Sequence, residues 1–208
     1  MEQSLLRQER ANAISHGIGV LLSIAALVLL VLQSVRTGSL WHIVSFTVFG
    51  LSLIVLYTAS TLLHSARREP WVSIFEIFDH AAIYVLIAGT YTPYLLVTIR
   101  GPLGWSLLGT VWGLALLGII FKLFFVKKFN LLSTLFYIGM GWLIIFAFEP
   151  LQQQLSAPGV MWLVIGGVLY TLGTVFYLWR RLPYHHMIWH LFVLAGSACH
   201  FISVYLYV

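Results

Sequence analysis

Residues 159–179 read GVMWLVIGGVLYTLGTVFYLW, an uninterrupted run without a single charge. A helix of that length rises about 30 Å, the thickness of the hydrocarbon core of a bilayer. A helix that is apolar on every side belongs inside a large protein or a membrane. Six further apolar stretches lie at 14–33, 41–63, 76–98, 104–125, 131–149 and 187–207. The chain of 208 residues is 61% hydrophobic and only 8% charged, which leaves too little polar surface to coat a water-soluble domain. These observations predict an all-α membrane protein: one domain over 1–208, built as a seven-transmembrane-helix bundle with short loops and antiparallel neighbours. No length remains for a separate soluble domain.

The formal net charge of +5 invites a comparison with nucleic-acid-binding proteins, but topology accounts for it. Arg7 and Arg10 precede the first segment, and Arg67 and Arg68 follow the second. Lys122, Lys127 and Lys128 lie where the fourth meets the fifth, and Arg180 and Arg181 precede the seventh. These nine basic residues share one side, leaving Arg36 and Arg100 on the other. The positive-inside rule makes the richer side cytoplasmic, so the amino terminus is expected inside and the carboxyl terminus outside. No nucleic-acid partner is expected. The first apolar run is longer than a signal-peptide core and lacks a cleavage site, so it reads as a retained helix that begins after Glu9 and Asn12. The single cysteine, Cys199, excludes an intramolecular disulfide.

Within the segments, Pro70 is expected to help stop the second helix and Pro93 to kink the third. Gly109 and Gly113 form a small-xxx-small pattern that permits close helix approach, and Gly166, Gly167 and Gly173 offer further packing points. No internal repeat is evident, and an odd number of segments argues against a simple inverted duplication.

Ionisable side chains at membrane depth are costly and tend to mark function. His64, Asp79, His186 and His190 stand at the ends of three apolar segments, all on the basic side. His186 and His190 are four residues apart, so both imidazoles leave the same helical face and can meet one ion. His64 at matching depth supplies a third nitrogen. Three neutral imidazoles and one water form the open tetrahedral arrangement of catalytic zinc, whereas structural zinc fills all four positions with protein ligands. The open position suits hydrolysis, because zinc lowers the pKa of water toward about 7. Asp79 would hold that water or act as general base; the alternatives are a carboxylate reaching solvent or a salt bridge to Arg67 or Arg68. Ser60 precedes His64 by one turn, where its hydroxyl would meet a water or an oxyanion, or else bond the carbonyl one turn back. Asn12 and His16 share that level and would orient a ligand or substrate from behind the metal ligands. His200 is about 15 Å deeper along the last helix and is expected to hydrogen-bond inside the bundle. His42 on the opposite side, and His80, rotated about 100° from Asp79, are expected to stay outside the site.

Glu9-x-x-Asn12-x-x-Ser15-His16, Ser60-x-x-x-His64, Phe78-Asp79-His80 and His186-x-x-x-His190-Leu191-Phe192, in this order over nearly the whole chain, resemble the progestin and adipoQ receptor superfamily, closest to its bacterial hemolysin III branch. The resemblance implies seven helices with the amino terminus inside and a zinc ion near the cytoplasmic face. Its zinc ligands would be His64, His186 and His190, with Asp79 contacting the metal through water and Ser60 beside it. Relatives are linked to ceramidase-like amide hydrolysis, and the bacterial branch to haemolysis and to membrane lipid or energy homeostasis. The long amino-terminal extension of the animal receptors is missing, which speaks against a protein-hormone receptor.

The expectation is therefore a zinc-dependent hydrolase of an amide or ester bond in a membrane lipid, multi-pass in the bacterial inner (plasma) membrane. Its partners would be membrane lipids and a lipid-like substrate, with protein partners unassigned. Two alternatives use the same residues: a lipid sensor in which zinc only staples the second, third and seventh helices, and a haemolytic pore. The segments lack the strong polar stripe that a pore requires.

Overall fold

The computed structural model describes residues 2–208 and is helical throughout its regular elements. The chain runs α1 (Glu2–Thr37), α2 (Leu40–Ser65), α3 (Trp71–Pro93), α4 (Pro102–Phe125), α5 (Asn130–Gly141), α6 (Phe148–Gln154), α7 (Ala157–Leu178) and α8 (His185–Tyr207). A π-helical turn, Tyr94–Thr98, continues α3, and a 3-10 segment, Leu143–Ala147, joins α5 to α6. Seven of the resulting spans are long and apolar enough to cross a membrane. Helices suit that medium because each satisfies its backbone hydrogen bonds internally. Large apolar side chains, including Leu21, Leu117, Phe124 and Phe146, cover the outside of the bundle. Ser45, Ser52, Thr90 and Thr92 are buried within it.

α1 packs between α2 and α8, α2 on α3, α3 on α4, and α7 on α8. α5 meets its neighbours sparsely, and the space behind it is a cavity of about 600 Å³. The break in α5 is stitched from α3. The Tyr91 hydroxyl points at the carbonyls of Gly141 (2.7 Å) and Met140 (3.0 Å) and accepts the Ile144 N–H (2.9 Å). Helical bonding restarts at α6, whose first turn holds Pro150 where its missing N–H costs nothing. At Pro93, the position expected to kink the third segment, α-helical bonding gives way to the π turn.

Two local expectations are corrected. The first helix does not begin after Asn12: α1 is continuous from Glu2, extending about three turns beyond the apolar run. Residues 3–7 of the extension are exposed; it meets its neighbours through Gln8, which accepts from the Tyr184 N–H, Glu9, which bonds His64 of α2, and Asn12, which is buried. Gly109 and Gly113 do not mediate close packing, since an added Cβ at either would meet nothing within 4 Å. In α4 that role falls to Gly118, where a Cβ would overlap the Tyr84 ring. Gly166 and Gly173 do receive neighbours, His200 in one case and Phe192 with Trp189 in the other. Lys122 is fully buried in the last turn of α4.

Candidate metal centre

Nitrogens from His64, His186 and His190 all lie within 4.8 Å of one another. Two helices supply them: α2 ends one residue after His64, and α8 begins one residue before His186. The four-residue spacing in α8 works as expected, with the His186 and His190 ring centres 4.6 Å apart. Their distances from the His64 ring are 4.9 and 5.1 Å. His64 and His190 are buried and His186 is half-buried. His64 lies at the very end of its helix yet is only 6% exposed, and its Nδ1 bonds to Glu9 on α1.

The hydrogen bonds behind the rings decide which nitrogens are free. His64 Nδ1 stands 2.7 Å from the Glu9 carboxylate, an acceptor, so Nδ1 carries the proton and Nε2 the lone pair. That Nε2 is buried and has no hydrogen-bond partner. Ser15 commits its single proton to the Asn12 carbonyl at 2.8 Å, so its oxygen accepts from His190 Nδ1 at 3.0 Å. The Asn12 carbonyl, 3.3 Å from the same nitrogen, can only accept as well. His190 is thereby fixed in the tautomer that leaves the lone pair on Nε2, the atom that could ligate a metal. Outer hydrogen bonds that set tautomer and orientation are the usual support of metal-binding histidines. Tetrahedral zinc at about 2.0–2.1 Å from each nitrogen needs nitrogens roughly 3.3 Å apart, so a modest closing of the triad completes a three-nitrogen site. The residues present fit zinc.

Asp79 and Ser60 line the same cavity as His186 and His190. Asp79 is buried, 8% exposed, which removes the solvent-reaching alternative. Among the described residues it makes no salt bridge to Arg67 or Arg68; the nearest ionisable partner is His80 Nδ1 at 3.8 Å. Ser60 is fully buried and its hydroxyl bonds nothing, although Ser23, Ser34 and Ser52 each bond back to a carbonyl on their own helix. The expected backbone alternative for Ser60 is therefore not taken.

His16 stacks on His190 with ring centres 3.4 Å apart and an angle of 10°, and neither of its nitrogens has a hydrogen-bond partner. Asn12 supports His190 through its backbone carbonyl, while its side-chain oxygen is unpartnered. His80 also lines the cavity, against expectation. Its Nδ1 donates to the Glu76 carbonyl at 2.8 Å, and its Nε2 accepts from the Tyr177 hydroxyl at 3.3 Å. Rotation about the α3 axis separates it from Asp79, but α5 and α7 close around both. Tyr137 donates to the His80 carbonyl at 3.1 Å. His42 stays away, bonded to the Val208 carbonyl. Glu9 and Ser15 are the support residues that residue type alone did not select. Their spacing was the available signal, since Glu9, Asn12 and Ser15 follow one another at three-residue steps along one helical face.

Comparison with known proteins agrees with this arrangement of motifs. A family model described as "Haemolysin-III related" matches residues 5–201. The chain is 57% identical to the "Hemolysin-3 homolog" of Bacillus subtilis (strain 168), over 97% of this chain and 95% of that protein. It is 54% identical to "Hemolysin-3" of Bacillus cereus, over 98% and 93% respectively. The human "Monocyte to macrophage differentiation factor" is 28% identical over 96% of this chain and 84% of its own length. No solved structure matches significantly. The chain is a multi-pass membrane protein and belongs to the haemolysin-III-related family.

Proposed function

We propose that this protein is a zinc-dependent hydrolase of an amide or ester bond in a membrane lipid, contributing to membrane lipid homeostasis. The observation that carries the reading is a juxtaposition. Three imidazoles cluster, and two of them, His186 and His190, line a largely apolar cavity together with a buried carboxylate, Asp79, and the unbonded hydroxyl of Ser60. Leu86, Ile87, Ile138, Ile144, Leu163 and Val193 provide the cavity's apolar lining, enough to receive an acyl chain. Its about 600 Å³ lies within the range of small-ligand pockets.

His64, His186 and His190 would hold the ion. When bound, zinc supplies Lewis-acid polarisation of a carbonyl and activates water at neutral pH. Asp79 would accept the proton as water oxygen adds to the carbonyl carbon, then return it to the leaving nitrogen or oxygen as the carbon–heteroatom bond breaks. An acid and an amine or alcohol result, so the atoms balance. Ser60 would donate to the oxygen on which negative charge develops. Glu9 and Ser15 would hold the imidazoles in the ligating tautomer. The membrane would be the bacterial plasma membrane, with the basic end and the metal centre on its cytoplasmic face, and membrane lipids are the proposed partners.

Purified protein assayed with labelled N-acylsphingosine and labelled phospholipid should release fatty acid when zinc-loaded, lose that activity on chelation and regain it with zinc. Stoichiometric zinc without turnover on either lipid class would instead favour the sensor in which the metal joins helices.

A further inference from the structure

The cavity continues past the metal centre to a second group of polar side chains. His200 of α8 lines it, is only 5% exposed, and has an Nδ1 with no hydrogen-bond partner. α7 makes room for this imidazole at Gly166, where a Cβ would stand 2.7 Å from His200 Nε2. Tyr94, the first residue of the π turn after Pro93, lines the same cavity, is 1% exposed, and has a phenol oxygen without a partner. Several of their polar neighbours already bond one another or the backbone. Tyr57 donates to Ser197 Oγ at 2.7 Å, and Tyr170 shares the same oxygen at 2.8 Å. Ser203 donates to the Gly159 carbonyl. The Tyr170 ring lies against His200 with centres 5.2 Å apart.

Polar groups left unpaired at this depth are costly, and these two belong to side chains that line one cavity, where a single ligand group that reaches them would pair both. His200 follows His190 by ten residues, about 15 Å along the helix, a distance an extended chain covers in about a dozen carbon–carbon bonds. We propose that His200 and Tyr94 form a distal subsite that binds a hydroxyl carried on the acyl chain of the substrate, about a dozen carbons from the bond held at the metal centre. The inference rests on the lipid-hydrolase reading above and names its substrate class: an oxygenated acyl lipid. One hydroxyl has a proton to give and lone pairs to offer, so it can donate to an imidazole nitrogen while accepting from the phenol.

Binding of the free acids tests this without requiring turnover. Zinc-loaded protein in detergent is titrated with stearic, 3-hydroxystearic and 12-hydroxystearic acid, each displacing a fluorescent fatty acid. The 12-hydroxy acid should bind about tenfold tighter than stearic acid, the worth of one buried hydrogen-bonded group, and the 3-hydroxy acid should show no such gain. In Tyr94→Phe, which removes only the oxygen, the ratio between 12-hydroxystearic and stearic acid should fall toward one. His200→Phe should act in the same direction, and because each readout is a ratio within one variant, either alone decides. Equal binding of the two acids by the unaltered protein, or an unchanged ratio in either variant, overturns the distal subsite while leaving the hydrolase reading intact. Failure of every acid to bind overturns the subsite and the acyl-chain assignment of the cavity together.

Discussion

The Glu9 carboxylate lies 2.7 Å from Nδ1 of His64, so a residue from the polar start of α1 fixes the ring of a candidate metal ligand 55 positions later. Because the carboxylate can only accept, it keeps the proton on Nδ1 and the lone pair on Nε2, the buried nitrogen with no other partner.

Removing that carboxylate should weaken metal binding without removing a ligand. Glu9→Gln is expected to lower zinc affinity about ten- to hundred-fold, the usual cost of losing such an outer hydrogen bond. Glu9→Ala should sit at the larger end. Competition with a chelator of known affinity measures both, and zinc affinity equal to that of the unaltered protein would remove Glu9 from the site.

Asp79→Asn preserves size and most hydrogen bonding but cannot accept a proton. Zinc content should stay near one per chain while lipid hydrolysis falls by about a hundredfold or more. Both are to be measured on one sample, since loss of zinc together with activity would make Asp79 a ligand rather than a base.

Most of the fold was legible because hydrophobic length is a strong signal: all seven apolar stretches became spans. The triad was legible because four-residue spacing places two imidazoles on one face. The start of α1 was not. A polar segment has no apolar period of its own, and its helix is stabilised by neighbours brought from α2 and α8. The helix-four glycines misled for a related reason. Spacing announces a smooth face but not which face meets a neighbour, and Gly118, outside the pattern, is the one that receives Tyr84. His80 was misplaced because rotation about its own helix says nothing of where α5 and α7 close the cavity.

The glycine contrast can be measured. Gly118→Ala forces a methyl against the Tyr84 ring and should destabilise by about 1–3 kcal/mol, the range for overpacking. Gly109→Ala and Gly113→Ala meet open space and should be neutral or stabilising by up to about 1 kcal/mol. Thermal unfolding in detergent compares the three, and an equal loss at Gly109 would show that its face is occupied.

Tyr91→Phe deletes the hydroxyl that joins Gly141, Met140 and Ile144 across the break between α5 and α6. Leaving those backbone groups unpaired should cost about 1–3 kcal/mol. Hydrogen exchange should rise over residues 140–147 and stay unchanged in α2; protection equal to that of the unaltered protein would mean that the break holds without Tyr91.

The central claim is that His64, His186 and His190 share one zinc ion, and elemental analysis combined with zinc-edge X-ray absorption tests it most directly. The expected result is about one zinc per chain, three imidazole nitrogens at roughly 2.0–2.1 Å, and loss of most of the metal in His64→Ala, His186→Ala and His190→Ala but not in His42→Ala. Full zinc occupancy in any of the three triad variants, or a purified protein that takes up no zinc, would contradict it.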